Sequence, residues 1–550
     1  MRGPAVPIAL ITVLLVAGCG SGGEEEEPSR GSAEASTSVP DARLTLVADG
    51  DAVAAAASTS RALFDTAEVA VVTRDGDAAG TLLGASAAVG LGVPLLVEPA
   101  DGSDPDALAA ELERLGTATV LAVGEAEGAG GPERAVVAVP ATAEAVAEVT
   151  GLDLGEGQEV AADEGPAAVA GLDPGQPVAL LAGDEPAAGD EATADVEPLP
   201  EVTRAEPLDG TLVVSTASPV ALAGIATARA AGASVHLTGG TDPRGDADLI
   251  GLLGETQPDA VVALGPEYTG EDGLDWKLAT AATGEQLPGG GQLLFPQHFL
   301  VALYGLPGSG ALGVLGEQDA AASVERAQAH AAPYEALVPD AAVVPAFEII
   351  ATVASAFAGP DGNYSTEVPA EDLRPWVEAA GEAGLYVVLD LQPGRTDFVT
   401  QAEQYRSLLE LPHVGLALDP EWRLAPNQVH LSQIGSVPID EVNAVVTWLA
   451  DLTRAAGLPQ KLLVLHQFQV RMIPERERLD TSRDELAVMV HADGQGGQGD
   501  KQATWRTLRQ TAPDAVAWGW KNFYDEDVPM LTPEETIAQV SPRPQLISYQ

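Results

Sequence analysis

The feature that most constrains the fold is a series of strand-like segments in the second half of the chain. Their side chains alternate between small residues and large apolar ones. Successive side chains of a strand point to opposite faces, so each segment presents one small face and one bulky face. Stretches with helical periodicity separate most of these segments, a rhythm that predicts a (β/α)8, TIM-like barrel over residues 291–550. The eight segments are residues 299–305, 342–350, 385–391, 414–420, 461–468, 486–493, 515–523 and 544–550.

In several segments the small face ends in a polar side chain. In GLALDPEW, Gly415, Ala417, Asp419 and Glu421 share one face, whereas the leucines between them lie on the other. The same pattern ends at Glu348, Asp390, His466 and Lys521. In a barrel of parallel strands these ends meet at one mouth, which is where the active sites of such barrels lie. The alternation therefore predicts a functional site at that mouth.

The residue types at these ends indicate a carbohydrate site. A glycosidase needs one protonated and one ionised carboxyl group, and we expect Glu421 to be the acid because the neighbouring Trp422 favours its neutral form. Asp419 or Asp390 is the expected charged partner. The second half also resembles glycoside hydrolase-like TIM barrels in its layout and in its D-x-E at a strand end. The expected substrate-binding residues are Glu348, His466, Gln467, Lys521, Tyr304, Trp422, His491 and Asp493.

Other interpretations of these residues remain open. Asp419 and Glu421 can begin a turn through Pro420, with Asp419 as a cap and Glu421 in solvent. His466 and His491 can be hydrogen-bonded histidines at the edge of a core. The sequence has no HExxH, no paired cysteines, no GxSxG and no Walker loop, so we expect no metal and no cofactor.

A repeat in the first half predicts two Rossmann-like, three-layer α/β units. EVAVVTRD, an Ala-rich helix, GVPLLVEP and TVLAVGEA recur as GTLVVSTA, a second Ala-rich helix, GASVHLTG and AVVALGPE. Each copy reads strand, helix, strand, helix, strand, and right-handed crossovers make that a small parallel sheet. We expect the first unit over residues 42–205 and the second over 206–290.

At Val93-Pro94-Leu95-Leu96 and at residues 120–124 the first copy resembles the cell wall-binding repeat 2 family. Those modules carry a similar Ala-rich helix, a P-[IL]-L-L strand and a V-x-x-[IVL]-G strand. The resemblance implies wall attachment, although the family usually has three copies and binds anionic polymers. Here there are two copies, and the second lacks the proline motif. A scaffold of repeats without a ligand is the alternative.

The charge of the chain excludes some partners. It has 82 acidic and 27 basic residues, a formal net charge of −55. So few basic residues cannot neutralise many phosphates, so nucleic acid is not an expected partner. Because acidic residues are so common, a single Asp or Glu is weak support for a functional site. The predicted site therefore depends on the alternation of side chains within the strands.

The first residues resemble the signal peptide of a bacterial lipoprotein. Arg2 precedes an apolar segment too short to cross a bilayer comfortably, and Cys19, the single cysteine, follows small residues as in a lipobox. We expect a signal over residues 1–19, lipid on Cys19, and a disordered acidic tether over 20–41. The protein would then be held on the extracellular face of the cell membrane.

Together these observations favour a surface lipoprotein whose barrel binds, and is a candidate to hydrolyse, a cell-wall or other extracellular polysaccharide. The repeats would hold it near the wall. The alternative is a non-catalytic wall-binding, adhesion or scaffold lipoprotein.

Replacing the cysteine tests the anchor. When the full chain is expressed in a bacterial host with lipoprotein processing, the wild type should partition into the detergent phase of Triton X-114. Cys19→Ser should partition into the aqueous phase, because acyl chains contribute about 0.8 kcal/mol per buried methylene. A wild type found in the aqueous phase would contradict the anchor.

Overall fold

The computed structural model describes residues 31–100, 105–128, 134–183 and 198–550. The expected signal peptide, Cys19 and the first part of the tether lie outside these residues. No helix within the described ranges has the length and apolar character needed to cross a membrane.

The first part of the chain alternates strands and helices. Its elements are β1 (Ser32–Thr37), β2 (Leu44–Val47), α1 (Ala52–Leu63), β3 (Phe64–Ala67), β4 (Val69–Arg74), α2 (Ala78–Leu91), β5 (Leu95–Glu98), α3 (Pro105–Arg114), β6 (Thr119–Val123), β7 (Ala135–Val139), α4 (Ala143–Thr150), β8 (Gln158–Val160), α5 (Gly165–Ala170), β9 (Leu180–Ala182), β10 (Glu201–Thr203), β11 (Thr211–Ser215), α6 (Leu222–Ala230), β12 (Ser234–Leu237), α7 (Ala247–Thr256), β13 (Ala260–Leu264) and α8 (Leu274–Ala281).

Two four-stranded parallel sheets form in this region, with the orders β5-β4-β6-β7 and β12-β11-β13-β2. The three strands of each repeated copy take the same order in both sheets. The fourth strand differs, because β7 follows the first copy whereas β2 precedes it and joins the second sheet. The second unit is therefore not confined to residues 206–290.

One apolar core connects the two sheets, and within it α1 and α2 each pack against α6. Helix α2 is apolar on nearly all sides, as expected of a helix that is buried all round. Its ends are defined by sequence. Asp77 accepts a hydrogen bond from the Gly80 N–H at the start, and Gly92 adopts φ 74° at the end.

The expected acidic tether does not extend to residue 41. β1 pairs with β10 and β3, and Ala33 is buried in the common core. The sequence did not predict this strand for two reasons. The surrounding composition is acidic, and the strands with which β1 pairs lie far away in the sequence.

The second part of the chain forms a closed barrel of eight parallel strands. Its elements are β14 (His298–Gly305), α9 (Ala320–Glu335), β15 (Ala342–Ala354), β16 (Ser365–Glu367), α10 (Ala370–Glu382), β17 (Tyr386–Leu391), α11 (Phe398–Gln404), α12 (Arg406–Leu409), β18 (Val414–Leu418), α13 (Ile439–Ala455), β19 (Lys461–Gln467), β20 (Leu486–Ala492), α14 (Gln498–Arg509), β21 (Ala517–Asn522), α15 (Pro533–Gln539) and β22 (Leu546–Tyr549).

The barrel closes because β14 pairs with both β15 and β22. The small strand β16 pairs antiparallel with the extended end of β15 and lies outside the ring. Each of the eight barrel strands lies within a few residues of its predicted segment. The alternation of strand and helix is interrupted once. Two 3₁₀ turns, Val470–Met472 and Arg476–Arg478, replace a helix between β19 and β20.

Two apolar layers follow from the alternation of side chains. The strand side chains of the outer face pack against the helices, and those of the inner face fill the interior of the barrel. Leu287 and Leu294, which precede β14, join the interior layer and close the amino-terminal end of the barrel. The carboxyl ends of the strands remain the polar end.

A buried ion pair connects α14 to the loop after β21 at that polar end. Lys501 Nζ lies 2.5 Å from Asp527 Oδ2 and 2.6 Å from the carbonyl oxygen of Lys521. Asp527 also accepts the N–H groups of Gly496 and Phe523. Both side chains are almost completely buried.

Lys501→Met should lower the free energy of unfolding by about 3–5 kcal/mol, because it leaves the carboxylate of Asp527 buried without its cation. Urea unfolding followed by tryptophan fluorescence measures the change. The control is Arg543→Gln, which breaks the exposed ion pair with Asp340 and should have far less effect. Equal effects of the two substitutions would contradict the structural role of the buried pair.

Candidate functional site

A ring of polar side chains lines the interior of the barrel at the carboxyl ends of its strands. Every strand supplies at least one member from its inward face, the face that also carries the small interior core. In strand order the members are Tyr304, Glu348, Asp390, Asp419, His466, His491, Lys521 and Ser548, and Glu421 and Asp493 follow at the ends of β18 and β20.

Glycines in the interior make room for these side chains. A Cβ at Gly519 would lie 2.2 Å from Cδ2 of His491, which is its register partner on β20. A Cβ at Gly415 would lie 2.9 Å from the Tyr386 hydroxyl. The small residues by which the strands were recognised in the sequence therefore leave room for larger inward side chains, including some of the site.

His466 bridges two carboxylates. Its Nε2 lies 2.6 Å from Glu348 Oε1, and its Nδ1 lies 3.1 Å from Asp493 Oδ2. Burial alone would lower the pKa of His466, but the two carboxylates raise it well above its usual value. The imidazole is therefore protonated and donates to both. The charge of His466 in turn overcomes burial and lowers the pKa of Glu348.

Lys521 supplies the second cation of the ring. Its Nζ lies 3.1 Å from Asp493 Oδ1 and 3.7 Å from the centre of the Tyr304 ring. Burial would raise the pKa of Asp493, but Lys521 and His466 hold it far below its usual value. Asp493 is therefore an ionised carboxylate held by two cations.

His491 is neutral. Burial lowers its pKa to about 3, and its Nε2 lies 3.2 Å from the Ser548 hydroxyl. Its Nδ1 lies 3.4 Å from Nδ1 of His466. The sequence did not single out Ser548, although the alternation within its strand places it inward, two residues after the interior Leu546.

Asp390, Asp419 and Glu421 have raised pKa values. Burial raises the pKa of Asp390 to about 6 and that of Glu421 to about 7. Burial and the neighbouring Asp390 raise the pKa of Asp419 well above its usual value. Asp390 Oδ2 accepts a hydrogen bond of 2.9 Å from the Tyr304 hydroxyl. Within the described ranges, its other oxygen has no hydrogen-bond partner.

Asp419 also caps the 3₁₀ turn Pro420–Trp422, where its Oδ1 accepts the N–H of Glu421 at 3.1 Å. The turn expected from Pro420 is present, yet the Asp419 side chain is buried and Glu421 is only partly exposed. Glu421 and Trp422 line a groove of about 390 Å³ that continues to His430, Leu431 and Arg471.

Gln467 is not brought to the site. It lies next to His466, so it points to the outer face of β19, where Oε1 accepts a hydrogen bond from the buried Arg476. Arg476 also donates to the carbonyl oxygen of Leu508. These bonds fix the loop that replaces a helix between β19 and β20.

Among the described residues, one group has ligand atoms close enough together to hold a metal ion. It consists of Glu348, His466 and His491, and one ligand atom of each lies within 4.8 Å of the other two. In the arrangement observed, both ring nitrogens of His466 face carboxylate oxygens at hydrogen-bond distance. A protonated imidazole explains this geometry, and a metal would have to displace that proton.

The repeats contain a cavity of about 460 Å³ at the start of α2, with a mainly Ala, Gly, Val and Leu lining. Asp77 is one of its few charged groups, and its oxygens already accept the N–H groups of Gly80 and Glu125. Convergent polar groups with shifted pKa values mark a site more strongly than volume does. The barrel mouth is therefore the stronger candidate.

Fold and site define this chain as a mixed α/β protein with a closed, eight-stranded parallel barrel and a charged site at the carboxyl ends of its strands. The chain matches no protein-family model and no curated protein.

Among solved structures, it is similar to Cwp8 from Clostridium difficile, at 13% identity and a TM-score of 0.31, over 45% of this chain and 53% of that chain. It is also similar to Cwp6 from Clostridium difficile, at 12% identity and a TM-score of 0.29, over 78% of this chain and 63% of that chain. The chain thus spans less than two thirds of either. Similarity this low defines neither the fold nor the function.

The protonation of His466 can be measured directly. Imidazole ¹H–¹⁵N correlation spectra should show His466 as a protonated ring at pH 7.5, and Glu348→Gln should lower its pKa because one carboxylate is removed. The raised pKa stabilises the folded state. This contribution is complete below the unfolded pKa of about 6.5 and is lost as the pH rises through the folded pKa.

Glu382→Gln, an exposed change on α10, is the control and should leave the His466 signal unchanged. A neutral His466 at pH 7.5 in the wild type would contradict the assigned network.

Proposed function

We propose that the barrel binds and hydrolyses an extracellular polysaccharide. The observation that carries the proposal is that carboxyl groups at one mouth lie in opposite protonation environments. Glu421 has a pKa raised to about 7, whereas Asp493 is held ionised by Lys521. Pairs of this kind are how glycosidases obtain an acid and a charged carboxylate from similar side chains.

Glu421 is the proposed general acid. It borders the groove and is more accessible than the ring below it, so a glycosidic oxygen can approach its carboxyl group. Burial and the charge of Asp493 favour its protonated form, and a pKa near neutrality suits proton transfer. In the reaction, Glu421 donates its proton to the leaving oxygen.

Asp493 is the proposed charged partner, in place of Asp419 or Asp390. The sequence interpretation gave that role to Asp419 or Asp390, but burial and nearby carboxylates raise the pKa of both, whereas cations lower that of Asp493. The carboxylate of Asp493 stabilises positive charge at the anomeric carbon or attacks it. Lys521 and His466 orient this carboxylate from two sides.

The groove beside Glu421 extends the site. Trp422 and His430 lie edge to face with ring centres 5.4 Å apart, and Leu431 next to them is 88% exposed. Aromatic and apolar faces are suited to the flat, apolar faces of sugar rings. This surface supports a substrate longer than one sugar.

The sequence supports the proposed location. We place the protein on the extracellular face of the membrane through lipid on Cys19, with the repeats as a wall-association scaffold. The rival proposal is a non-catalytic binding or adhesion protein. It is favoured by the depth of the ring, where Asp390, His466 and His491 are at most 1% exposed.

Hydrolysis is tested with the purified ectodomain, peptidoglycan and a panel of neutral and amino glycans, by measuring reducing ends. Glu421→Gln should lower kcat by about 10²–10⁴-fold, because the amide cannot donate the catalytic proton. Wild-type activity should fall as the pH rises above about 7, where Glu421 loses its proton.

Glu382→Gln is the matched control, because it makes the same chemical change at an exposed position outside the mouth. Binding without reducing ends, unchanged by Glu421→Gln, would favour the rival proposal.

A further inference from the structure

The mouth contains more carboxyl groups than cations. Two cations belong to the ring, His466 and Lys521. The carboxyl groups are Glu348, Asp390, Asp419, Glu421 and Asp493.

Geometry divides these carboxyl groups into two sets. Glu348 and Asp493 have close cations, as described above. Asp390, Asp419 and Glu421 form no ion pair with any described residue. They occupy successive layers of one side of the mouth, since Asp390 pairs in register with Ala417 and Asp419 lies two residues further out.

Two other basic side chains near the mouth form no ion pair with this set among the described residues. Lys501 is held by Asp527. Arg471 lines the groove beside Glu421 and donates through Nε to the side chain of Gln469 at 2.6 Å.

One buried oxygen of the set is unsatisfied. Asp390 is completely buried, and its Oδ1 has no hydrogen-bond partner within the described ranges. A buried polar atom without a partner is costly, and in a native site it points to a missing ligand or proton. The cluster therefore has both an excess of acid and an unused acceptor.

The charge of the whole chain acts in the same direction. A formal net charge of −55 repels anionic polymers and attracts cationic ones. A cationic polymer would therefore be drawn to the surface of the protein.

We infer that Asp419, with Asp390 behind it, binds an ammonium group of the substrate, and that the substrate is a polysaccharide of hexosamines with free amino groups. This inference rests on the proposed carbohydrate function and specifies its substrate class. Charged hydrogen bonds of this kind contribute about 1.5–3 kcal/mol each, or about ten- to a hundredfold in affinity.

Protons occupy the cluster when no ligand is bound. The raised pKa values of Asp419 and Asp390, the latter about 6, correspond to these protons. An ammonium group favours the ionised carboxylates, so its binding releases protons. A divalent metal suits this cluster less well. The two histidines lie beside the other carboxyl groups, and His466 already donates to two of these, Glu348 and Asp493.

The test uses matched oligosaccharides that differ only in their amino groups. The ectodomain is titrated by calorimetry with the chitosan hexamer and the fully N-acetylated chitin hexamer, and with free and N-acetylated oligomers of galactosamine. At pH 6.5 at least one free amine should bind about tenfold or more tightly than its acetylated form. The binding heat should vary with the ionisation heat of the buffer, which reports proton release.

Asp419→Asn should remove this preference, and Asp390→Asn should weaken it. Asp390 lies on the neighbouring strand, so its variant keeps the test available if Asp419→Asn does not fold. Glu382→Gln should keep the wild-type preference. Equal binding, tighter binding of the acetylated forms, or no binding of any oligomer overturns the inference.

Two further outcomes separate competing explanations. If the free amine binds more tightly but no reducing ends are released, the inference is supported and hydrolysis is contradicted. If reducing ends are released without any preference for the free amine, hydrolysis is supported and the inference is contradicted. Titration with Zn²⁺ alone is the last arm. Stoichiometric binding that is lost in His491→Gln would assign the mouth to a metal and overturn the inference.

Discussion

The closure of eight parallel strands into one ring is the constraint on which the rest of the structure depends. Parallel pairing places every carboxyl end on the same side, and the two-residue period of a strand turns one set of side chains inward. Polar residues separated by long stretches of sequence therefore meet above the apolar layer that fills the barrel interior. No single loop or helix could bring Tyr304 and Ser548 into the same ring.

Burial of so many ionisable groups is sustained by their mutual compensation. An isolated carboxylate inside a barrel would be costly, and the protein responds in two ways. Glu348 and Asp493 remain charged because cations touch them, whereas burial without an ion-pair partner raises the pKa values of Asp390 and Asp419. The difference between identical functional groups comes from their neighbours.

The sequence predicted the barrel strands and most of the ring because both are local patterns. Alternation within a strand identifies the inward face, and it identified Glu348, Asp390, Asp419, His466 and Lys521. The same rule excludes Gln467, the neighbour of His466, and includes Ser548, whose strand was recognised but whose inward face was not read.

Long-range partners could not be predicted from such patterns. The pairing of Leu44–Val47 with the second sheet, and of Ser32–Thr37 with distant strands, depends on tertiary contacts. The protonation of Asp419 likewise depends on Asp390, which lies on another strand, and the ionisation of Asp493 depends on Lys521. A single sequence identifies such groups without their mutual distances, and the distances determine their charges.

The pairing of the first and last barrel strands has a consequence for folding. β14 contacts β22 through pairs such as Leu303 and Tyr549, which are separated by almost the whole domain. Loop-closure entropy makes such contacts slow to form, so the ring is completed late. Until then the edges of β14 and β22 are exposed to pairing with other chains. A chaperone that shields these edges during synthesis would therefore protect the part of the molecule that most needs protection.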